Sequence, residues 1–240
     1  MEAILSLTNV SKSYGALKVT DNISFNLSKG ETLGILGPNG AGKTTLFNLI
    51  SGDVRADTGA VHFRSKDITK LPPQNRCHMG IGRSYQIPHP FGGMTVFENL
   101  LVGATFGGQM SEDEADPICI DILRKTKLLP KANFLAGSLT LLDRKRLELA
   151  RALATRPDVL LLDEIAGGLT EQEAHELVAL IKDIKSEGVS MIWIEHVVHA
   201  LLAVADRLLV INFGARLAEG DPESVMNNSD VKRVYMGIEV

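Results

Sequence analysis

The run GPNGAGKT, residues 37 to 44, constrains this chain more than any other feature. The pattern GxxxxGK[ST] builds a phosphate-binding loop when it lies between a strand and a helix. Both flanks comply. TLGIL (32 to 36) is a continuous apolar strand signal, and TLFNLISG places Leu46, Leu49 and Ile50 at helical spacing before Gly52 stops the pattern. In such a loop the backbone N–H groups cradle phosphate oxygens, Lys43 reaches the terminal phosphates, and the Thr44 hydroxyl ligates Mg²⁺. Gly37, Pro38, Asn39, Gly40, Ala41, Gly42, Lys43, Thr44 and Thr45 are therefore the candidate nucleotide-binding residues.

The rest of the pattern predicts an α/β fold. Leu5 and Leu7, then Ile23, Phe25 and Leu27, alternate with polar residues as antiparallel strands with one wet face do. VLLL (159 to 162), MIWI (191 to 194) and RLLVI (207 to 211) are short and wholly apolar, as in a parallel sheet covered on both faces. Between the first two, Ala174, Leu177, Val178, Ile181 and Ile184 form one apolar helical stripe closed by Gly188. From about Ser84 to Thr155 helical patterns take over, with GGQMSEDEAD as a polar connection. The expected division is one domain over 1–240, with 1–84 and 156–240 as the α/β core and antiparallel β part, and 85–155 as an inserted helical subdomain.

Composition excludes several classes. With 25 basic against 29 acidic residues and a net charge of −4, no broad nucleic-acid surface is expected. Cys77 and Cys119 have no partners at ligand spacing, so a disulfide framework or zinc site is not expected, and a reducing compartment is. The N-terminus, with Glu2 and polar residues from Ser6, lacks the pattern of a signal peptide, and no apolar run approaches the roughly 18 residues of a membrane span. A soluble, cytoplasmic chain is the expectation.

Far downstream, the strand VLLLDE ends in Asp163 and Glu164. In phosphate-loop proteins an acid at the first position holds Mg²⁺ through water, and a neighbouring Glu can act as base toward an attacking water.

With these residues in order, the chain resembles the ATPase subunits of ABC transporters over essentially its whole length. Tyr14, in SKSYG, matches the aromatic that stacks on adenine in that family. Gln86, in GRSYQIPHPF, matches the glutamine whose loop senses Mg²⁺ and γ-phosphate and leads toward the membrane subunit. His196, in IWIEHVV, matches the switch histidine that contacts γ-phosphate. The resemblance thus implies Glu164, His196 and Gln86 as catalytic residues, and Thr44, Gln86 and Asp163 as metal-binding ones. ATP and Mg²⁺ are the implied cofactors.

Two places depart from the family. Its signature LSGGQ aligns to Leu139, Thr140, Leu141, Leu142 and Asp143, where only Leu139 is identical. Thr140 and Asp143 remain the candidate contacts, and the same pair reads as a TxxD capping box. Glu148, spaced for pairing with Arg144 and Arg151, reads as part of a solvated helix face. In the loop after Glu164, the family's SALD ends in Asp where this chain has Thr170. In that family both segments face the partner's nucleotide in a head-to-tail dimer.

The resemblance implies ATP hydrolysis driving dimer closure and a membrane permease. FGGMTVFENLLVGA, RKRLELARAL, IWIEHVV and the tail LAEGDPESVMNNSDVKRVYMG are similar to ATPases of branched-chain (hydrophobic) amino acid uptake. The implied partners are permease subunits, a second ABC ATPase in a hetero-pair or a copy in a homodimer, and indirectly an external substrate-binding protein. The implied location is the inner face of the cell membrane. Lipopolysaccharide export, a soluble non-transport ABC ATPase, and a non-hydrolysing structural partner are the alternatives.

Overall fold

The computed structural model describes residues 3–236; Glu2 and Gly237, both used in reading the termini, lie outside the described residues. The chain opens with β1 (Ala3–Tyr14) and β2 (Leu17–Ser28), antiparallel with Leu5 opposite Leu27 and Leu7 opposite Phe25. Then come β3 (Thr32–Leu36), α1 (Lys43–Ser51), β4 (Thr58–Phe63), β5 (Lys66–Asp67), α2 (Pro73–Met79) and β6 (Ile81–Ser84). Next are α3 (Val96–Val102), a π-helical turn (Gly103–Gly107), α4 (Glu112–Lys125) and α5 (Leu141–Ala154). The last part holds β7 (Val159–Asp163), α6 (Glu171–Ser186), β8 (Ser190–Ile194), α7 (Val198–Leu202), β9 (Arg207–Asn212), β10 (Ala215–Gly220), α8 (Pro222–Asn227) and α9 (Ser229–Met236).

Two sheets result. One is antiparallel, in the order β2-β1-β4-β5; the other runs β10-β9-β3-β8-β7-β6, parallel except for the β9–β10 edge. The expected α/β class, with a parallel core and an antiparallel β portion, is therefore the architecture found. Every residue of β3, β7 and β8 is buried, which is why those segments read as unbroken apolar runs. Parallel order also aligns their C-terminal ends, so the loop after β3, the acids after β7 and the segment after β8 emerge at one edge.

A separate hydrophobic cluster joins α3, α4 and α5 through Leu100, Cys119, Leu123, Leu147 and Ala150. One local expectation fails here. SEDEAD is the first turns of α4: Ser111 forms a reciprocal capping box with Glu114, and Glu112, Asp113 and Glu114 sit where the helix dipole favours acids.

Candidate nucleotide site

Lys43 is the first residue of α1, and the turn before it exists because Gly42 is glycine. Gly42 has φ of 101°, and a Cβ there would lie 2.2 Å from the Val19 carbonyl oxygen. Gly37 is equally confined, since a Cβ would come within 2.3 Å of the Ile211 carbonyl oxygen. Lys43 is 6 % exposed and donates to the carbonyls of Gly37 (2.8 Å) and Pro38 (3.0 Å). Burial pulls its pKa below the ordinary lysine value, opposed by the charges of Glu164 and Asp163. The 39–45 run, Val19 and Glu164 line an open pocket of about 210 Å³.

Asp163 ends β7 and is 4 % exposed. Its pKa is raised by burial, with Arg83 pulling the other way from 3.1 Å. Arg83 was not singled out in the sequence. It reaches Asn48 (2.7 Å), Ser51 (3.0 Å) and Asp53 (3.1 Å) with its other terminal nitrogen, and lies over the rings of Phe47 and Tyr85.

Glu164 follows with φ of 46°, a left-handed conformation that costs a non-glycine residue about 1–3 kcal/mol and marks functional turns. Its carboxylate is gripped from both sides. Gln86 Nε2 donates to Oε2 at 2.5 Å, and His196 Nε2 lies 2.6 Å from Oε1. Three residues separated by up to 110 positions in the chain are thus one cluster beside Lys43.

For a divalent ion the available donors are oxygens: the exposed Thr44 hydroxyl, the Gln86 amide and the Asp163 carboxylate. That set suits Mg²⁺, which keeps waters and takes substrate phosphates as ligands. Among the described residues no group of three or more His, Cys, Asp or Glu is placed to hold a metal without such help.

Other candidates lie elsewhere. Tyr14 stands at the end of β1, 51 % exposed, outside the lining of that pocket. Thr140 caps α5, its hydroxyl accepting the Asp143 N–H (3.3 Å) and donating to Asp143 Oδ2 (3.0 Å). The capping box is only half formed, because the Asp143 carboxylate turns inward to Lys131 and Arg146. Asp143 is 4 % exposed, so its charge is matched within the chain. The solvated face expected around Glu148 is also corrected: Glu148 is buried against Arg151 (3.3 Å), while Arg144 donates to the Gly137 carbonyl. Thr170 has a local reason, a reciprocal capping box with Glu173 that starts α6.

Lys145 and Glu195 were also missed. The phase of α5 carries the first signal, because Leu142, Lys145, Leu149 and Ala152 recur at helical spacing and all are buried. Glu195 only adjoins His196, and nothing in its surroundings in the sequence marks it.

The family model described as ABC transporter matches residues 20–167. The high-affinity branched-chain amino acid transport ATP-binding protein LivG of Salmonella typhimurium is 35 % identical, covering 98 % of each chain. The lipopolysaccharide export system ATP-binding protein LptB of Haemophilus influenzae is 34 % identical, again covering 98 % of each. A solved ATP-binding cassette of an ABC transporter in its ADP conformation superposes with a TM-score of 0.91, at 34 % identity, over 99 % of this chain and 100 % of that one. Likeness of this extent, joined to the loop and acids at one sheet edge, makes this chain a member of the ABC transporter family, the ATPase subunit of a transporter.

Proposed function

We propose that this chain hydrolyses Mg-ATP to energise import of branched-chain or other hydrophobic amino acids. The observation that carries the chemistry is Glu164, held between Gln86 and His196 beside the loop of Lys43. Lys43 and the loop amides stabilise charge on the terminal phosphates. Glu164 takes a proton from the water that attacks the γ-phosphorus as the bond to the β-phosphate oxygen breaks. His196 and Gln86 hold the Glu164 carboxylate, and in this role His196 would contact the γ-phosphate and Gln86 its metal. Thr44 and Asp163 would hold Mg²⁺, which would supply charge neutralisation at the phosphate oxygens. Tyr14 supports adenine from the β1 end.

In this reading residues 85–155 are the subdomain that carries the signature helix and meets the permeases at the inner face of the membrane. The chain pairs with a second ATPase bearing an intact signature. The amino acid substrate class is supported by the full-length likeness to LivG. The likeness to LptB supports lipopolysaccharide export as the second reading.

Proteoliposomes carrying this chain with its permeases and partner ATPase test the choice. ATP-dependent uptake of labelled leucine in the presence of the external binding protein is expected. Absence of uptake, with ATP-driven release of lipopolysaccharide instead, would favour the second reading.

A further inference from the structure

Two buried charges behind Glu164 have no part in the chemistry above. Lys145, in the second turn of α5, is 4 % exposed, and its Nζ donates to the main-chain carbonyls of Gln86 (2.7 Å) and Glu164 (3.3 Å). Glu195, directly after β8, is 1 % exposed. Its Oε1 accepts the Ala166 N–H at 2.7 Å, and its Oε2 accepts the N–H groups of His196 (2.9 Å) and Val197 (3.5 Å). The main chain at each of the three clustered residues, Gln86, Glu164 and His196, is therefore held from behind by one of these two side chains.

Burying such charges is costly, and an apolar pair of the same volume would pack there with less penalty. Burial lowers the pKa of Lys145 and raises that of Glu195. Each charge is opposed by its surroundings: among the carboxylates acting on Lys145, Glu195 is the strongest, and three backbone N–H groups act on Glu195. What the pair secures is the backbone. Glu164 keeps its left-handed φ only where neighbours enforce it, and Gln86 and His196 project from loops with no ladder of their own.

We propose that Lys145 and Glu195 form a buried brace that fixes the main chain of Gln86, Glu164 and His196, acting as positioning residues for hydrolysis. The brace also joins α5, whose first residue is Leu141 of the altered signature, to the chain's own Glu164 through one rigid helix. This inference rests on the assignment of Glu164 and His196 made above.

The chemistry of the contacts chooses the variants. Both oxygens of Glu195 accept, so in Glu195→Gln either amide orientation turns an NH₂ toward an N–H, at Ala166 or at His196. Lys145→Met keeps length and loses both donated bonds, while Lys145→Arg keeps charge and donors.

The test uses the full chain with its partner ATPase and combines steady-state kinetics with hydrogen exchange of the nucleotide-free protein. Lys145→Met and Glu195→Gln are expected to lower kcat about tenfold or more, as misplacement of a catalytic group does. KM for ATP is expected to stay within about twofold, because the phosphate loop is untouched. Exchange should accelerate in 164–168 and 195–198 while β3 stays protected, and Lys145→Arg should restore both rate and protection. Wild-type exchange in those segments, a kcat within about twofold of wild type, or failure of Lys145→Arg to rescue would each overturn the brace. Should Lys145→Met lose β3 protection and so fail to fold, Lys145→Gln and Glu195→Gln carry the same expectations. Should Glu164→Gln prove fully active, the catalytic assignment fails separately, and the exchange data still decide whether the brace exists.

Discussion

Leu141 and Gly168 face one another: a Cβ on Gly168 would stand 3.4 Å from Leu141 Cδ2. The two places where this chain departs from its family, the signature and the loop after Glu164, are thus neighbours in space. Leu141 is exposed, Leu142 is buried and Asp143 is paired inward, so Leu141 is the one of these three whose side chain faces out at the start of α5.

Leu141→Gly alone should therefore raise hydrolysis by the purified chain about tenfold, by opening the backbone to the partner's phosphate. Asp143→Gln should give no gain and should lower stability, since it breaks the contacts to Lys131 and Arg146. Leu142→Gly would cost about 2–5 kcal/mol of burial and would mask any gain. Phosphate-release assays and melting curves on the three variants check this ordering; equal activity of Leu141→Gly and wild type would contradict it.

Lys43 yields a pH signature. Its folded pKa lies below 10.5, so the charged amine penalises the fold at any pH below that folded value. The penalty fades as pH rises from the folded pKa to 10.5. Lys43→Met should raise the melting temperature of the nucleotide-free chain at pH 7 by about 2 °C or more, and the advantage should shrink as the medium approaches that alkaline limit. The same variant should lose ATP affinity by about tenfold or more. Identical melting curves at pH 7 would mean that the two carbonyl contacts fully compensate the buried charge.

Arg83 links Asp163 to the end of α1, and both members of that pair are nearly excluded from solvent. Arg83→Met should destabilise the chain by about 3–5 kcal/mol, the cost of leaving a buried charge without its partner. In the folded fraction, titration with Mn²⁺ should show weaker metal binding to the nucleotide complex, because Asp163 is no longer oriented. Denaturant unfolding indistinguishable from wild type would contradict the buried pairing.

The phosphate loop, the apolar strands and the acids Asp163 and Glu164 were legible because each sits in an unbroken apolar or fixed-spacing context, whereas Gln86 and His196 were marked only by the resemblance to the family. Short elements were not legible. β5 has two residues, and β6 has four that include Gly82 and Arg83, too little for a period of two to register. The acids of SEDEAD read as connection, although acids in the first turn are a helix start signal. Glu148 read as solvent-facing and Lys145 carried no assignment, because the backbone carbonyls and N–H groups that receive them come from loops far away in the chain. Arg83 was invisible for the same reason: its partners Asn48, Asp53 and Asp163 are assembled only by the fold.

This chain is expected to bind ATP on its own loop and to hydrolyse it through Glu164. The most direct measurement follows labelled ATP on one preparation of Glu164→Gln with its partner ATPase, recording bound nucleotide and released phosphate together. Binding should stay within about twofold of wild type, and phosphate release should slow by about a hundredfold or more at the site completed by this residue. Release at the wild-type rate, or loss of binding in parallel with turnover, would contradict this expectation.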